Sequence, residues 1–487
     1  MGVRSDVTLR TARVLIIGSG FAGLGMAAAL HRSGEHDLVI LEQAAEVGGT
    51  WRDNTYPGAA CDVASALYSY SFAPWRRGTA ARAGQPELLD YLRSVAEPVR
   101  DRIEFGARVV AGHWDEAAAM WQVATADGRR YAARFLVVAT GALNLPRIPR
   151  IPGAETFAGP VFHTAEWDHS AELDGKRVAV IGTGASAVQV VPEIAARARE
   201  LHLYQRTPAW VLPARSQRPP RLPRVSRRIE YWRGEALVPA LTGPAAAAAP
   251  LRRRALRHLH RQVDDPALRR ALTPDHRIGC KRILYSDSYF PALTRPGSEV
   301  VTVPIERIVP GGVVTADGVT RGVDVIVHAT GFRVAGALGA MPLAGRGGVT
   351  LQELWQRGGI RTHLGVTVAG LPNAFLLSGP NTGLGHNSVL YMIESQIRYV
   401  LDAIGVVERS GADVLEVRQD VQDASYRQTQ RRLRRAVWST GGCASWYLDG
   451  AGGNHALWPG FSWRYRLRTR RVRLHEYEFV RGDIPWG

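Results

Sequence analysis

Val14-Leu15-Ile16-Ile17-Gly18-Ser19-Gly20-Phe21-Ala22-Gly23 decides the fold. An apolar run short enough for a buried strand enters a glycine turn and leaves as a helix, which is how a βαβ dinucleotide-binding unit begins. The pattern recurs at Val178-Ala179-Val180-Ile181-Gly182-Thr183-Gly184-Ala185-Ser186-Ala187, where Ala187 replaces the third glycine and is still small enough for close helix packing. In such a unit a pyrophosphate sits on the helix N-terminus, drawn by unpaired N–H groups and the helix dipole. The residue closing the following strand then reads the ribose. After Leu38-Val39-Ile40-Leu41 that residue is Glu42, and after Leu201-His202-Leu203-Tyr204 the matching position is Arg206. A carboxylate accepts from an unphosphorylated 2′-hydroxyl, as in FAD or NAD, whereas a guanidinium pairs with a 2′-phosphate. One chain is expected to hold two different dinucleotides.

Working outward, alternating strand and helix patterns over 12–50 and 176–206 predict an α/β fold with parallel sheets. Buried strands are expected over 131–140 and 324–329, and both run into Ala-Thr-Gly turns, at Thr140-Gly141 and Thr330-Gly331, which read as paired crossing points between two domains. From Pro213 to Pro274 the chain becomes rich in Arg, Pro and Ala, with helical periodicity in Leu251 to Leu272, and this reads as a helical insertion in the second domain. A strand over 373–377 leads through Ser378-Gly379-Pro380-Asn381-Thr382-Gly383 into a helix expected from about Ser388 to Ile404. Its start can aim a dipole at a ring that becomes anionic on reduction, or it can be an ordinary packing helix.

The 487 residues are ample for two domains. The net charge of +17 invites a nucleic-acid reading, but the arginine clusters, such as Arg252-Arg253-Arg254, are scattered and match no nucleic-acid motif. Solvated helix faces account for them, and a positive field suits two polyanionic cofactors. No apolar run approaches the length that spans a membrane, and the first residues lack a signal-peptide core, so a cytoplasmic location is expected. Cys61, Cys280 and Cys443 are widely separated and odd in number; reduced thiols are expected, with no disulfide framework and no metal site.

Ahead of the second turn stands Phe157-x-Gly159-x-x-x-His163-x-x-x-Trp167-Asp168, which resembles the fingerprint of the FAD- and NADPH-dependent Baeyer-Villiger monooxygenases. The resemblance spans nearly the whole chain. Gly48-Gly49-Thr50-Trp51-Arg52-Asp53-Asn54-Thr55-Tyr56-Pro57-Gly58-x-x-Cys61-Asp62, continued by Tyr68, is similar to the family's flavin-facing loop. Thr183, Gln189 and Arg206-Thr207-Pro208 resemble its NADPH-binding positions, Cys280-Lys281-Arg282-Ile283-Leu284 the segment with its catalytic arginine, and Ser445-Trp446-Tyr447 a mobile loop that folds over NADP.

The resemblance implies two Rossmann-like domains: an FAD domain over 1–145 and again over 323–487 with a C-terminal loop, and an NADP domain over 153–322 with a helical insertion at about 212–275. It implies that NADPH reduces the flavin, that the reduced flavin meets O2 to form a C4a-peroxide, and that a ketone becomes an ester or lactone. Protonated, the same peroxide would oxygenate nitrogen or sulfur, which is the alternative activity. A fixed cation favours the anionic form and the tetrahedral adduct. Arg282 is the expected cation, because guanidinium stays charged at any working pH, and Asp62 is its expected holder.

The expected FAD-binding residues are Gly18, Gly20, Gly23, Glu42, Gly49, Thr50, Trp51, Asp62, Tyr68 and Thr140. Those expected to bind NADPH are Gly182, Thr183, Gly184, Ser186, Ala187, Gln189, Arg206, Thr207, Lys281 and Trp446. His163 reads either as a packed histidine or as a residue coupling domain positions, while Trp167 and Asp168 fix the same linker. Without the long N-terminal extension of some relatives, a monomer or weak homo-oligomer is expected. The pocket walls are expected from the insertion, from Gly331 to Gly348 and from the C-terminal loops, including the glycine-rich Gly450-Ala451-Gly452-Gly453-Asn454. A disulfide reductase is disfavoured, since no redox-spaced cysteine pair follows the first turn.

Overall fold

The computed structural model describes residues 9–75, 81–214, 222–334, 341–449 and 452–481. Gly450 and Ala451 of the glycine-rich loop, and residues 335–340 of the expected pocket wall, lie outside the described residues.

Leu9–Ile17 is a central strand of the first sheet, flanked in parallel by Leu38–Leu41 and Arg130–Val138. Its apolar end, Val14 to Ile17, is fully or almost fully buried, as a strand covered on both faces must be. The register decides what happens at its C-terminal edge. Ile17 pairs with Leu41 and with Val138, and Val138 pairs in turn with Leu376 of the strand Ala374–Leu376. Gly18, Glu42, Ala139-Thr140 and Leu377-Ser378 therefore all leave the sheet along one edge. Open α/β sheets bind ligands at that edge.

The second sheet is built the same way. All five of its strands run parallel, in the order Ser298–Val301, Glu200–Tyr204, Arg177–Ile181, Val325–His328, Val161–His163. Ile181 pairs with Tyr204 and with His328, so Gly182, Gln205-Arg206 and Ala329-Thr330 emerge together. This corrects the expected return to the first domain at 323. Val325–His328 belongs to the second sheet, paired in parallel with both Arg177–Ile181 and Val161–His163, and the chain crosses back only after it.

The two crossing segments pair with each other. Arg147 N donates to Gly331 O at 2.8 Å, Arg333 N to Leu145 O at 2.9 Å, and Thr330 Oγ1 to Arg147 O at 2.5 Å. The insertion is helical in its described part: Pro223–Glu235, Val238–Thr242, Ala249–Gln262 and Pro266–Ala271. The late helix runs over Val389–Ser410, past its expected end at Ile404, and stops at Gly411 in the left-handed region.

Candidate active site

Both glycine turns open on one cavity of about 1430 Å³. In the first turn a Cβ at Gly18 would stand 2.8 Å from the Ala139 oxygen, and one at Gly23 would collide with the Gly18 carbonyl oxygen. These two glycines are required by the close approach of helix and strand. Gly20 and Gly184 are different: a Cβ at Gly20 reaches only Gly49 Cα at 3.8 Å, and at Gly184 it meets nothing within 4 Å. Their missing side chains leave open the space over the helix starts. Phe21–Arg32 and Ala185–Arg197 both begin at these glycines without a side-chain cap, so their first N–H groups are unclaimed by side chains.

The lining fits two dinucleotides. Beside the first turn Thr140 Oγ1 is buried with no protein partner, although it lines the cavity. Beside the second turn Arg206 is exposed, and half-buried Lys281 is held below its ordinary pKa by burial and by the neighbouring Arg206 charge. Two cations crowded at the end of the second nucleotide strand match the 2′-phosphate of NADPH. Thr183 Oγ1 donates to Thr207 O at 2.6 Å and fixes that loop.

Glu42 is buried and richly bonded. One oxygen accepts from Ser19 N at 2.9 Å and Ser19 Oγ at 2.7 Å, the other from Ala44 N and Arg52 Nη1, both at 3.0 Å. It ties the turn to the helix Thr50–Asp53, whose N-cap, Gly49, sits at φ 51°. That helix presents Trp51, whose Nε1 donates to Tyr68 Oη at 3.1 Å, and Phe21 packs edge-on against Tyr68 with ring centroids 5.1 Å apart. Burial pushes the Tyr68 phenol far above its ordinary pKa, so this aromatic wall stays uncharged.

At the meeting of the domains lies an ion pair. Arg282 Nε donates to Asp62 Oδ2 at 2.5 Å and Nη2 to Asp62 Oδ1 at 2.7 Å, while Nη1 donates to Leu384 O at 3.2 Å. The Arg282 side chain is 35% accessible and that of Asp62 23%, both from the cavity they line. Burial alone would raise the Asp62 carboxyl, but the Arg282 charge overrules it and the net shift is downward; Arg82 adds to that pull. The Asp62 charge in turn raises the Arg282 guanidinium further. The strand Leu284–Tyr285 pairs with Val211–Leu212 and holds Arg282 at its entrance.

Other expected residues do different work. Gln189 Nε2 donates to Ala60 O at 2.8 Å and its Oε1 accepts from Tyr56 Oη at 2.7 Å, so it joins the second domain to the loop that carries Asp62. Ala187 is wholly buried and packs the helix. Ser186 lines the cavity. Trp446 lines the cavity but is 46% exposed, whereas Tyr447 beside it is buried against Arg282, its phenol pushed up to about 12 chiefly by burial.

His163 does not line the cavity. Buried, and held below its ordinary pKa chiefly by that burial, it accepts from Ala165 N at 3.1 Å through Nδ1 and packs edge-on against Phe332 just past the crossing. Trp167 packs on Phe162, and Asp168 Oδ1 accepts from Ser170 N at 2.9 Å and Ser170 Oγ at 2.6 Å.

The expectation of three reduced thiols is wrong. Cys280 and Cys443 form a disulfide across 163 residues, with Cα atoms 6.2 Å apart; Cys61 alone is free, and buried. Spacing along the chain cannot reveal such a pair, because folding brings the C-terminal loop onto the segment with Arg282. Neither bonded cysteine lines the cavity. Among the described residues no helix is long and apolar enough to cross a membrane, and no cluster of three or more His, Cys, Asp or Glu could hold a metal.

Tyr447 and Arg82 were missed as site residues. Tyr447 belongs to the Ser445-Trp446-Tyr447 motif, which is its signal in the sequence; Arg82 lies in no motif.

Comparison with known proteins adds lineage to this geometry. Residues 15–233 match the pyridine nucleotide-disulphide oxidoreductase family model. The chain is 45% identical to a Baeyer-Villiger monooxygenase of Pseudomonas aeruginosa over 97% of its own length and 92% of that protein. It superposes on an oxidized steroid monooxygenase bound to NADP with a TM-score of 0.85 at 33% identity, covering 97% of this chain and all of that one. On the OTEMO complex with FAD and NADP the TM-score is 0.87 at 26% identity, again over 97% of this chain and the whole of the other.

Proposed function

The chain belongs to the Baeyer-Villiger monooxygenases, and from that premise we propose how its own residues carry the reaction. The enzyme is an NADPH-dependent flavoprotein monooxygenase that inserts one oxygen atom of O2 beside a ketone carbonyl, giving an ester or lactone. Bound FAD and NADPH supply hydride transfer and the activation of O2.

We infer that the first glycine turn, Thr140 and the Trp51–Tyr68 wall hold FAD, and that the second turn, Arg206, Thr207 and Lys281 hold NADPH. The opposite charges of Glu42 and Arg206 support the assignment, as does the buried, unpartnered Thr140 oxygen. The domain holding NADPH is read as 153–330, ending at the crossing turn.

Arg282 is assigned as the catalytic cation. The observation that carries the assignment is its two-pronged bond to Asp62 at the wall of the one cavity both turns share. A guanidinium has five N–H donors, and the bonds to Asp62 and Leu384 leave one proton on each terminal nitrogen for the oxygens of the reaction. It stabilises negative charge as it develops there, and being orientated beforehand it need not reorganise. Asp62 is a positioning residue; ionised, it aims the fork and moves no proton. Tyr447, buried beside Arg282, keeps its phenolic proton.

The proposed substrate is a small-molecule ketone and the proposed location the cytoplasm, for a monomer or weak homo-oligomer. Turnover of a ketone panel and one sulfide, with products identified by mass spectrometry, tests the reading. Ester or lactone from a ketone supports it; sulfoxide alone points to heteroatom oxygenation and overturns it.

A further inference from the structure

The first helix of the insertion, Pro223–Glu235, is built inside out. A surface helix ordinarily buries an apolar stripe and turns polar side chains to water. Here the inward face carries Arg227, Tyr231 and Glu235, spaced four apart, and all are bonded. Arg227 Nη1 donates to Ser69 O at 2.7 Å and Nη2 to Glu394 Oε2 at 3.1 Å. Tyr231 Oη lies 3.2 Å from Ser462 Oγ, and Glu235 accepts from Asn387 Nδ2 at 2.8 Å, Ser462 N at 3.0 Å and Ser462 Oγ at 2.5 Å. These bonds fix which way the helix faces.

What faces outward is apolar. Val225, Ile229 and Trp232 follow the three-four spacing of one helix stripe and are 51%, 47% and 53% exposed, and Leu222, the residue just before the helix, is 62% exposed. Arginines rim the stripe: Arg224 and Arg228 are exposed and have no acidic partner among the described residues, while Arg233 pairs with Glu230 at 2.6 Å. More arginine gathers nearby. Arg466 stands over the Tyr391 ring at 4.8 Å, that ring packs on Tyr231 at 4.7 Å, and Arg398 is held below its ordinary value by burial and by Arg466 and Arg470.

An apolar stripe that is kept in water and flanked by arginine has a definite complement. A second copy of this helix would bring arginine against arginine. Nucleic acid would satisfy the arginines and leave the stripe wet. A bilayer with anionic headgroups takes both, phosphates to the guanidinium rim and acyl chains to Leu222, Val225, Ile229 and Trp232. We propose that the outer face of Pro223–Glu235 docks the enzyme on an anionic phospholipid surface, with the helix lying in the headgroup plane. No crossing segment is needed. The docked helix also touches the cavity wall, since Asn387, which bonds Glu235, lines the cavity.

The test is co-sedimentation of the full-length holoenzyme with vesicles of phosphatidylcholine alone or mixed equally with phosphatidylglycerol. Sedimentation is expected only with phosphatidylglycerol and should weaken as salt rises. Ile229→Ser with Trp232→Ser should weaken it about tenfold or more, and Arg224→Gln with Arg228→Gln should also weaken it, while both variants keep their flavin absorbance. No phosphatidylglycerol-dependent sedimentation overturns the proposal, and so does sedimentation that both variants leave unchanged. If the stripe variants instead abolish only a concentration-dependent dimer, or only binding to DNA, the occupant is a second copy or a nucleic acid and the lipid assignment falls.

Discussion

Arg282 and Asp62 stand 220 residues apart in the chain and meet through two near-parallel hydrogen bonds of 2.5 and 2.7 Å. Arg282→Ala is expected to leave NADPH-driven flavin reduction close to wild type and to lower ester formation about 100- to 1000-fold, the loss typical of removing a preorganised donor of charge stabilisation. Anaerobic stopped-flow reduction and product analysis separate the two half-reactions. Retained ester formation would remove Arg282 from its role.

Asp62→Asn keeps the shape of the pair and removes its charge. Ester formation should fall about tenfold or more, with hydride transfer preserved, because the fork is no longer held. The pH sign follows from the depressed Asp62 carboxyl. The pair is fully formed above the ordinary carboxylate pKa of about 3.9 and is lost only as pH falls through the lower folded value. An acid limb of kcat/KM near neutrality must therefore come from elsewhere; one that disappears in Asp62→Asn would contradict this.

Arg206 and Lys281 form the proposed 2′-phosphate site. Arg206→Ala should raise the KM for NADPH about 10- to 100-fold and barely alter that for NADH, as expected for one lost charge-assisted bond. Equal effects on both nucleotides would place Arg206 elsewhere.

Denatured without reductant, the protein should show one reactive thiol, Cys61. Cys443→Ser should free Cys280 and cost about 2–5 kcal/mol of stability, lowering Tm by several degrees. Three thiols in the untreated protein would rule the cross-link out.

His328 is buried beside His163, and burial above all, with the His163 charge second, lowers it to about 4. The unfolded chain takes up its proton near pH 6.5, so stability is whole above that and declines as pH falls toward 4, by up to about 3 kcal/mol. His328→Leu should flatten Tm against pH over that interval. An unchanged slope would assign the acid sensitivity to other groups.

The dinucleotide turns were legible because everything they need is local: a strand, a glycine and a helix start in adjacent residues. Glu42 and Arg206 were legible for the same reason, since one βαβ unit fixes their offset. Arg282 and Asp62 could be named only through resemblance, as nothing local joins two residues so far apart. Val325–His328 could be recognised as a strand but not assigned to its sheet, because chain order does not state which edge a strand will find. The Cys280–Cys443 bond was hidden by the same nonlocality. The helix Pro223–Glu235 was hidden differently: the arginines of the insertion read as solvated faces, and here Arg227 faces in and bonds Ser69 and Glu394.

The provenance of the Arg282 pair has a mechanical meaning. The guanidinium arrives on the segment that enters the short two-stranded sheet of Val211–Leu212 and Leu284–Tyr285, whereas Asp62 and the Leu384 carbonyl that steady it belong to the flavin side. A shift between these segments by the length of a hydrogen bond would undo the pair without altering any residue. The aim of the cation is thus set by three bonds between segments far apart in the chain, and it is only as good as the fit between them.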